Sequence, residues 1–328
     1  MPDDRERGHG DLLRGHHTAG KSGAPPDPHL AERFMRAAWQ RRGYRSRPVP
    51  TALGRLHFFS APGGGEAPPI LALHGFGSSG LTFMRTLERL RPSVRGVACL
   101  DGPGHGFSDL PATSMTVASW RDAAVEAFDE VTGRGFGPRP MLIGNSLGGA
   151  MAISLARMRP GQTSALVLCA PAGAPLTEAE HGALSRLFEL RSRAEAQSFL
   201  HRLFSRPPWF AALLAPTLRS RLTRPHLRRF LESVTAIDAF DEAELMALDV
   251  PTLVLWGDAD GILPESAAAF FARAAGRPGS PLTFERLAGV GHSPQIECPV
   301  ALARRVLAFM NRDGKAPDVP GAPVGLQG

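Results

Sequence analysis

The sequence predicts an α/β protein, built on a mostly parallel, doubly wound sheet of about eight strands with an all-helical insertion. Three observations predict it. Short apolar runs such as Pro69-Ile-Leu-Ala-Leu73 and Pro251-Thr-Leu-Val-Leu-Trp256 recur along the chain, as buried parallel strands do when helices cover both faces of a sheet. Each is followed by a glycine-rich or polar loop and then by a helical stretch, the order that right-handed crossovers require. The alternation stops between residues 177 and 245, which read as helix broken at Pro207-Pro208, Pro216 and Pro225, and then resumes.

Taken in order, residues 1–28 are polar and without periodicity and read as a disordered tail. The core begins at residue 29 and its first part runs to 173, a helical lid fills 174–246, the second part of the core covers 247–312, and a Pro/Gly-rich tail closes the chain at 313–328. From His29 to Arg42, Leu30, Phe34, Ala37 and Ala38 fall on one helix face with arginines opposite, a basic amphipathic helix suited to the core or to a membrane surface. Gly54 to Ser60 is the first strand candidate, and Pro69 to His74 the second. Val94–Leu100, the short apolar run that opens at Met141 before the Gly-x-Ser-x-Gly turn, Ala165–Ala170, Pro251–Trp256 and Leu282–Leu287 complete the strand candidates. Helices are expected at Leu81–Leu90, Val117–Val131, from the 146–149 turn to about Arg159, at Pro264–Ala275 and at Pro299–Asn311, the last with Ala301, Val306 and Phe309 inward.

Composition narrows the classes. A chain of 328 residues with 43% apolar content can bury one large core plus an insertion. The net charge of +6 comes from scattered arginine, without a nucleic-acid motif or aromatic-basic interleaving, so nucleic acid is not an expected partner. Cys99, Cys169 and Cys298 are far apart in or beside apolar segments and lack metal-ligand or redox spacing; they read as buried free thiols of a reducing compartment. The N-terminus has no signal-like apolar region and no apolar run reaches about 18 residues, so a cytoplasmic protein is expected, a monomer or weak homo-oligomer.

The stretch Met141-Leu-Ile-Gly-Asn-Ser-Leu-Gly-Gly-Ala150 carries the chemistry: a strand, a Gly-x-Ser-x-Gly turn and a helix. Such a turn lifts the Ser146 hydroxyl out of the sheet edge and aims free N–H groups of the helix start at it. Serine is a poor nucleophile at neutral pH and needs a base, which needs a carboxylate behind it. His292, in a glycine-rich turn past the last strand, is the candidate base. His74 and His105 also lie at this edge but inside loops with other jobs, and His57, His181, His201 and His226 read as surface residues. Asp258 and Asp260 both follow the strand ending at Trp256; Asp260 is preferred, lying deeper in the turn and followed by Gly261. Glu297 and Asp109 read as structural hydrogen-bond partners. The N–H groups of Leu147 and of Phe76, in the loop His74-Gly-Phe-Gly77, are the natural oxyanion donors.

The successive segments His74-Gly-Phe-Gly77, Asp101-Gly-Pro-Gly-His-Gly-Phe-Ser-Asp109, Gly144-Asn-Ser-Leu-Gly148, Trp256-Gly-Asp-Ala-Asp260 and Gly291-His292 resemble, in register, the signatures of the α/β-hydrolase fold family. The resemblance spans about residues 50 to 311 and implies a capped serine hydrolase with Ser146, Asp260 and His292 as its triad, without metal or cofactor. Serine at the elbow departs from the dehalogenase and epoxide hydrolase relatives, which carry aspartate there. Cys169-Ala-Pro-Ala-Gly173 and the long helical lid are similar to the esterase and monoacylglycerol lipase branch, and C–C bond hydrolases and lactonases share the same core motifs. A non-catalytic binding protein on the same scaffold is the other class. The expected substrate is a small-molecule ester, with Trp209 and Phe210, in the most apolar part of the lid, to contact it. Arg219, Arg221, Arg224, Arg228 and Arg229 follow at once and read either as a solvated face or as a peripheral contact with an anionic membrane.

Overall fold

The computed structural model describes residues 30–207 and 211–312; Trp209, Phe210 and the two expected tails lie outside them. A first helix, α1 (Leu30–Arg41), precedes the strands β1 (Arg45–Thr51), β2 (Gly54–Pro62) and β3 (Ile70–Leu73). Helix α2 (Met84–Leu90), strand β4 (Gly96–Leu100), helix α3 (Val117–Val131), strand β5 (Met141–Asn145), helix α4 (Leu147–Met158) and strand β6 (Leu166–Cys169) follow. Between β6 and the next strand come only helices: α5 (Glu178–Leu187), α6 (Arg193–Leu203), α7 (Ala211–Leu222), α8 (Pro225–Ser233) and α9 (Glu242–Met246). Then β7 (Thr252–Gly257), α10 (Glu265–Ala275), β8 (Leu282–Leu287), the short α11 (Pro294–Glu297) and α12 (Pro299–Arg312) complete the chain.

The strands form one eight-stranded sheet in the order β1-β2-β4-β3-β5-β6-β7-β8. Strand β2 runs against both its neighbours, and the pairs from β4 to β8 are parallel. Because the chain leaves β3 toward one edge and β5 toward the other, the loops after these two strands part and leave a crevice at their carboxyl ends. The Ser146 turn and the His74–Gly77 loop stand on its two sides.

Alternation along each strand divides the core in two. Leu71, Leu142, Leu166, Leu168 and Trp256 face α3, α4 and α10 on one side, while Ile70, Ile143, Val167 and Leu255 face α2 and α12 on the other. The sheet is thus covered on both faces, and its central strands are apolar throughout for that reason.

Three expectations need correction. Strand β1 was not anticipated, because Pro48 and Pro50 break a strand pattern; as an edge strand paired only to β2, it tolerates the missing N–H groups. The inward face of α12 is Leu302, Val306 and Phe309, with Ala303, and Ala301 is only partly buried. Helix α1 does not lay the face containing Phe34 on the core: Phe34 is 68% exposed and Met35 43% exposed. It docks instead through another face, where Trp39 packs on the core and the buried Glu32 accepts from Ser79 Oγ at 3.1 Å and pairs with Arg221 at 2.7 Å.

Candidate active site

Ser146 occupies the turn between β5 and α4 with φ 53° and ψ −121°, a left-handed backbone that a side chain rarely adopts. Backbone bonds hold it there. Its N–H donates to Cys169 O at 3.0 Å, and its carbonyl accepts from Gly149 N and Ala172 N, both at 2.9 Å, and from Ala150 N at 3.2 Å. The turn also needs close backbone approach: a Cβ on Gly144 would stand 2.3 Å from Gly148 O, and one on Gly148 would stand 2.1 Å from Leu73 O. These two glycines therefore let the helix start against the ends of β5 and β3.

His292 follows β8, is 3% exposed, and contacts Asp260 Oδ2 through Nδ1 at 2.8 Å. A carboxylate only accepts, so Nδ1 donates the proton of this contact and Nε2 is turned away from Asp260. Burial works against the charge on Asp260, but His292 and the N–H groups of Ile262 and Leu263, donating to Oδ1 at 2.8 and 3.2 Å, outweigh it and hold its pKa below the usual carboxylate value. Asp258 points elsewhere, is exposed, and accepts from Gly289 N at 2.8 Å.

The His292 loop is fastened to the elbow by Asn145, a residue the sequence reading passed over. Its Nδ2 donates to His292 O at 2.9 Å and to Cys169 O at 3.0 Å, and its Oδ1 accepts from Gln295 Nε2 at 2.9 Å. The signal was present as an amide inside the Gly-x-Ser-x-Gly turn, but nothing local shows which loop it reaches. No hydrogen bond joins Ser146 Oγ to His292 in this structure; a free hydroxyl turns about one bond, and such contacts tighten when substrate binds.

Across the crevice, Gly75 lies against the elbow, where a Cβ would be 3.2 Å from that of Ser146. Among the described residues, neither the Phe76 N–H nor the Leu147 N–H donates to another group. The loop is braced by two histidines, each using Nε2 as an acceptor. Gly102 N donates to His74 at 2.9 Å, and Gly77 N to His105 at 3.0 Å. Burial holds both imidazoles below their ordinary pKa, which keeps them neutral for this task. The Phe76 ring packs on Phe188 of α5's end and on Phe230 of α8, at centroid distances of 5.4 and 5.7 Å.

The helices between β6 and β7 touch the site through their backbone. Gly261 N donates to Arg202 O at 3.0 Å and His292 N to Leu203 O at 2.9 Å, so the end of α6 carries both the aspartate and the histidine loops. Glu297 adds to this as a structural acceptor for Ser205 N and Gly291 N, at 2.8 and 2.9 Å. Asp109 likewise binds Arg55, at 2.9 Å. Over Leu147 opens a cavity of about 820 Å³, lined by α4 residues Ala150 and Met151 and by Leu176, Leu184, Leu231 and Val234. Among the described residues no cluster of three or more His, Cys, Asp or Glu is placed to hold a metal ion.

Two readings of histidine need revision. His57 is buried at 7% exposure, with Nδ1 at 3.0 Å from Asp101 and Nε2 at 2.6 Å from Ser46 Oγ, because its strand is covered by α1 and the loop after β4. His226 is half-buried against Gly104 O at 3.2 Å. His201 is exposed, and His181 lines the cavity. The arginines expected as one solvated row also divide: Arg221 pairs with Glu32, Arg219 donates to Leu190 O and Arg191 O, and Arg228 and Arg229 are exposed. Cys99 and Cys169 are buried free thiols, and Cys298 is free and half-buried.

Strand, sharp serine turn and helix stand at the switch point of a mostly parallel α/β sheet, with an Asp–His pair on the loops after β7 and β8. The profile of the alpha/beta hydrolase family matches residues 70–305, and the chain belongs to that family. It is a hydrolase. A dihydrolipoyllysine-residue acetyltransferase component of an acetoin cleaving system from Pseudomonas putida is 28% identical over 79% of this chain and 68% of its own. The monoacylglycerol lipase ABHD6 of Homo sapiens is 25% identical, covering 75% of this chain and 76% of its own. A crystal structure of a membrane phospholipase A, a bacterial virulence factor, superposes with a TM-score of 0.71 at 26% identity, covering 88% of this chain and 94% of that one. Among the described residues, no helix is long and apolar enough to cross a membrane.

Asp101 gives a pH-dependent prediction. Its Oδ1 accepts from Gly80 N at 2.7 Å and its Oδ2 from Phe107 N at 3.0 Å, joining the loops on both sides of β4. Burial raises its pKa, but His57, His74 and the Phe107 N–H more than compensate and bring it from 3.8 to about 2. A depressed carboxylate pKa stabilises the fold above the unfolded value and loses that contribution as pH falls through the folded one. Urea unfolding of wild type and Asp101→Asn should therefore differ most near neutrality, and the gap should narrow as pH falls from 3.8 toward 2. A gap independent of pH would mean that the Asp101 charge contributes nothing.

Proposed function

We propose that this chain hydrolyses carboxylic esters through an acyl-enzyme on Ser146. The observation that supports it most is the Asp260–His292 pair, its loop tied to the Ser146 elbow by Asn145, with a large cavity opening over Leu147, the residue after the serine. In this reading Ser146 Oγ attacks the ester carbonyl and its proton passes to His292 Nε2, while Asp260 stabilises the imidazolium. The N–H groups of Phe76 and Leu147 receive the oxyanion, the alcohol departs with the proton from His292, and water activated by the same imidazole releases the acid. Lipase and phospholipase names among the relatives favour an ester carrying a long acyl chain. So does the cavity, whose lining follows α4 from Leu147 to Met158, a rise of roughly 16 Å.

Ser146→Ala should abolish turnover of p-nitrophenyl esters and labelling by a fluorophosphonate probe, with the circular dichroism spectrum unchanged. Labelling of the variant to wild-type extent would place the nucleophile elsewhere, and a wild type that takes no label would favour a binding scaffold.

Asp260→Asn should lower kcat by about 10⁴, through loss of the required histidine tautomer, whereas Asp258→Asn should stay near wild type. Equal effects of the two substitutions in a steady-state assay would exclude Asp260 as the orienting acid.

Leu231→Trp, which fills the cavity from α8, should reduce turnover of long-chain esters about ten-fold or more relative to acetate esters. An unaltered chain-length profile would show that the acyl group lies outside this cavity. The same series extended to lactones and to β-diketones tests the lactonase and C–C hydrolase alternatives.

A further inference from the structure

A second cleft, of about 460 Å³, opens between α1, the β1–β2 edge and the loop after β4, and shares no lining residue with the cavity over Leu147. Arg33, Arg36 and Gln40 line it from α1, at the i, i+3, i+7 spacing of one helix face; Ser46, Arg55 and His57 line it from the strands. Arg55 is neutralised by Asp109, which it grips with Nε and Nη2 at 2.9 and 3.2 Å. Among the described residues Arg33 and Arg36 have no carboxylate partner, and the Arg36 guanidinium rests 4.7 Å above the Phe107 ring. The floor is fixed, since His57 is locked between Asp101 and Ser46. Two like charges on one helix face repel, and they persist here at the wall of a concave site whose lining carboxylate, Asp109, is held by Arg55. Guanidinium pairs in that position suit the oxygens of a phosphate.

The setting of α1 supplies an independent observation. The helix is docked by Glu32 and Trp39, the latter edge-on to Tyr44 at 5.6 Å, and this leaves Phe34, Met35 and Ala38 outward, together with Arg41. Exposed apolar side chains beside arginines that have no carboxylate partner among the described residues form, on one short helix, the pattern of a segment lying in a lipid interface, apolar groups entering the acyl boundary and arginines meeting phosphates. We propose that this cleft is a phosphate-binding site whose ligand is the head group of an anionic phospholipid, with Phe34 and Met35 entering the bilayer beside it. The site acts independently of which bond Ser146 cleaves.

The test is cosedimentation of the full-length protein with phosphatidylcholine vesicles, with and without phosphatidic acid. Wild type should pellet only with the phosphatidic acid vesicles, and added salt should release it. Arg33→Gln/Arg36→Gln and, separately, the exposed Arg33→Glu should bind at least about ten-fold more weakly. Phe34→Ser should weaken binding to vesicles, and all these variants should keep wild-type turnover of a soluble p-nitrophenyl ester, which reports an intact fold. Equal binding by wild type and the double variant, or binding indifferent to phosphatidic acid, overturns the proposal. Calorimetric binding of glycerol 3-phosphate without any binding to vesicles overturns the lipid source.

Discussion

Everything at the site depends on a serine held where its backbone is strained. A non-glycine residue at φ 53° costs on the order of 1–3 kcal/mol and persists only when its surroundings over-determine it. Here both its N–H and its carbonyl are engaged, by β6 and by the loop beyond it as well as by α4. The sheet's tight pairing of β5 between β3 and β6 is thus what keeps the turn from relaxing. A strained residue on a rigid strand is positioned more closely than one on a free loop.

The helical insertion contributes to this rigidity as well as covering the crevice. Two consecutive carbonyls at the end of α6 accept from the loops that carry Asp260 and His292, and Glu297 binds the same neighbourhood from the other side. A displacement of α6 would therefore reach both loops at once. Buried histidines serve as fixed struts nearby. His74 and His105 stay neutral because burial penalises their charged form, and each then offers a lone pair to a glycine N–H.

Helix α1 shows where periodicity misleads. Its apolar residues fall on one face, and the simplest inference is that this face meets the core. The buried Glu32, satisfied by Ser79 and Arg221, turns the helix the other way and exposes Phe34. Arg221 lies 189 positions further along, in the insertion, so no local rule could find the pairing.

By itself the sequence determined the α/β alternation, the place of the insertion, the Ser146 turn and the order in which serine, aspartate and histidine arrive. These are local properties: strand and helix periods, glycines where backbones must approach, and loops of fixed composition at strand ends. Only the tertiary structure decided which groups meet. It separated Asp260 from Asp258 through hydrogen bonds to His292 and Gly289, made Asn145 the clamp, buried His57, and paired the proline-bearing β1 at the sheet edge. Each of those outcomes turns on the direction of a side chain toward a partner distant in the chain, and direction is set by packing, not by spacing.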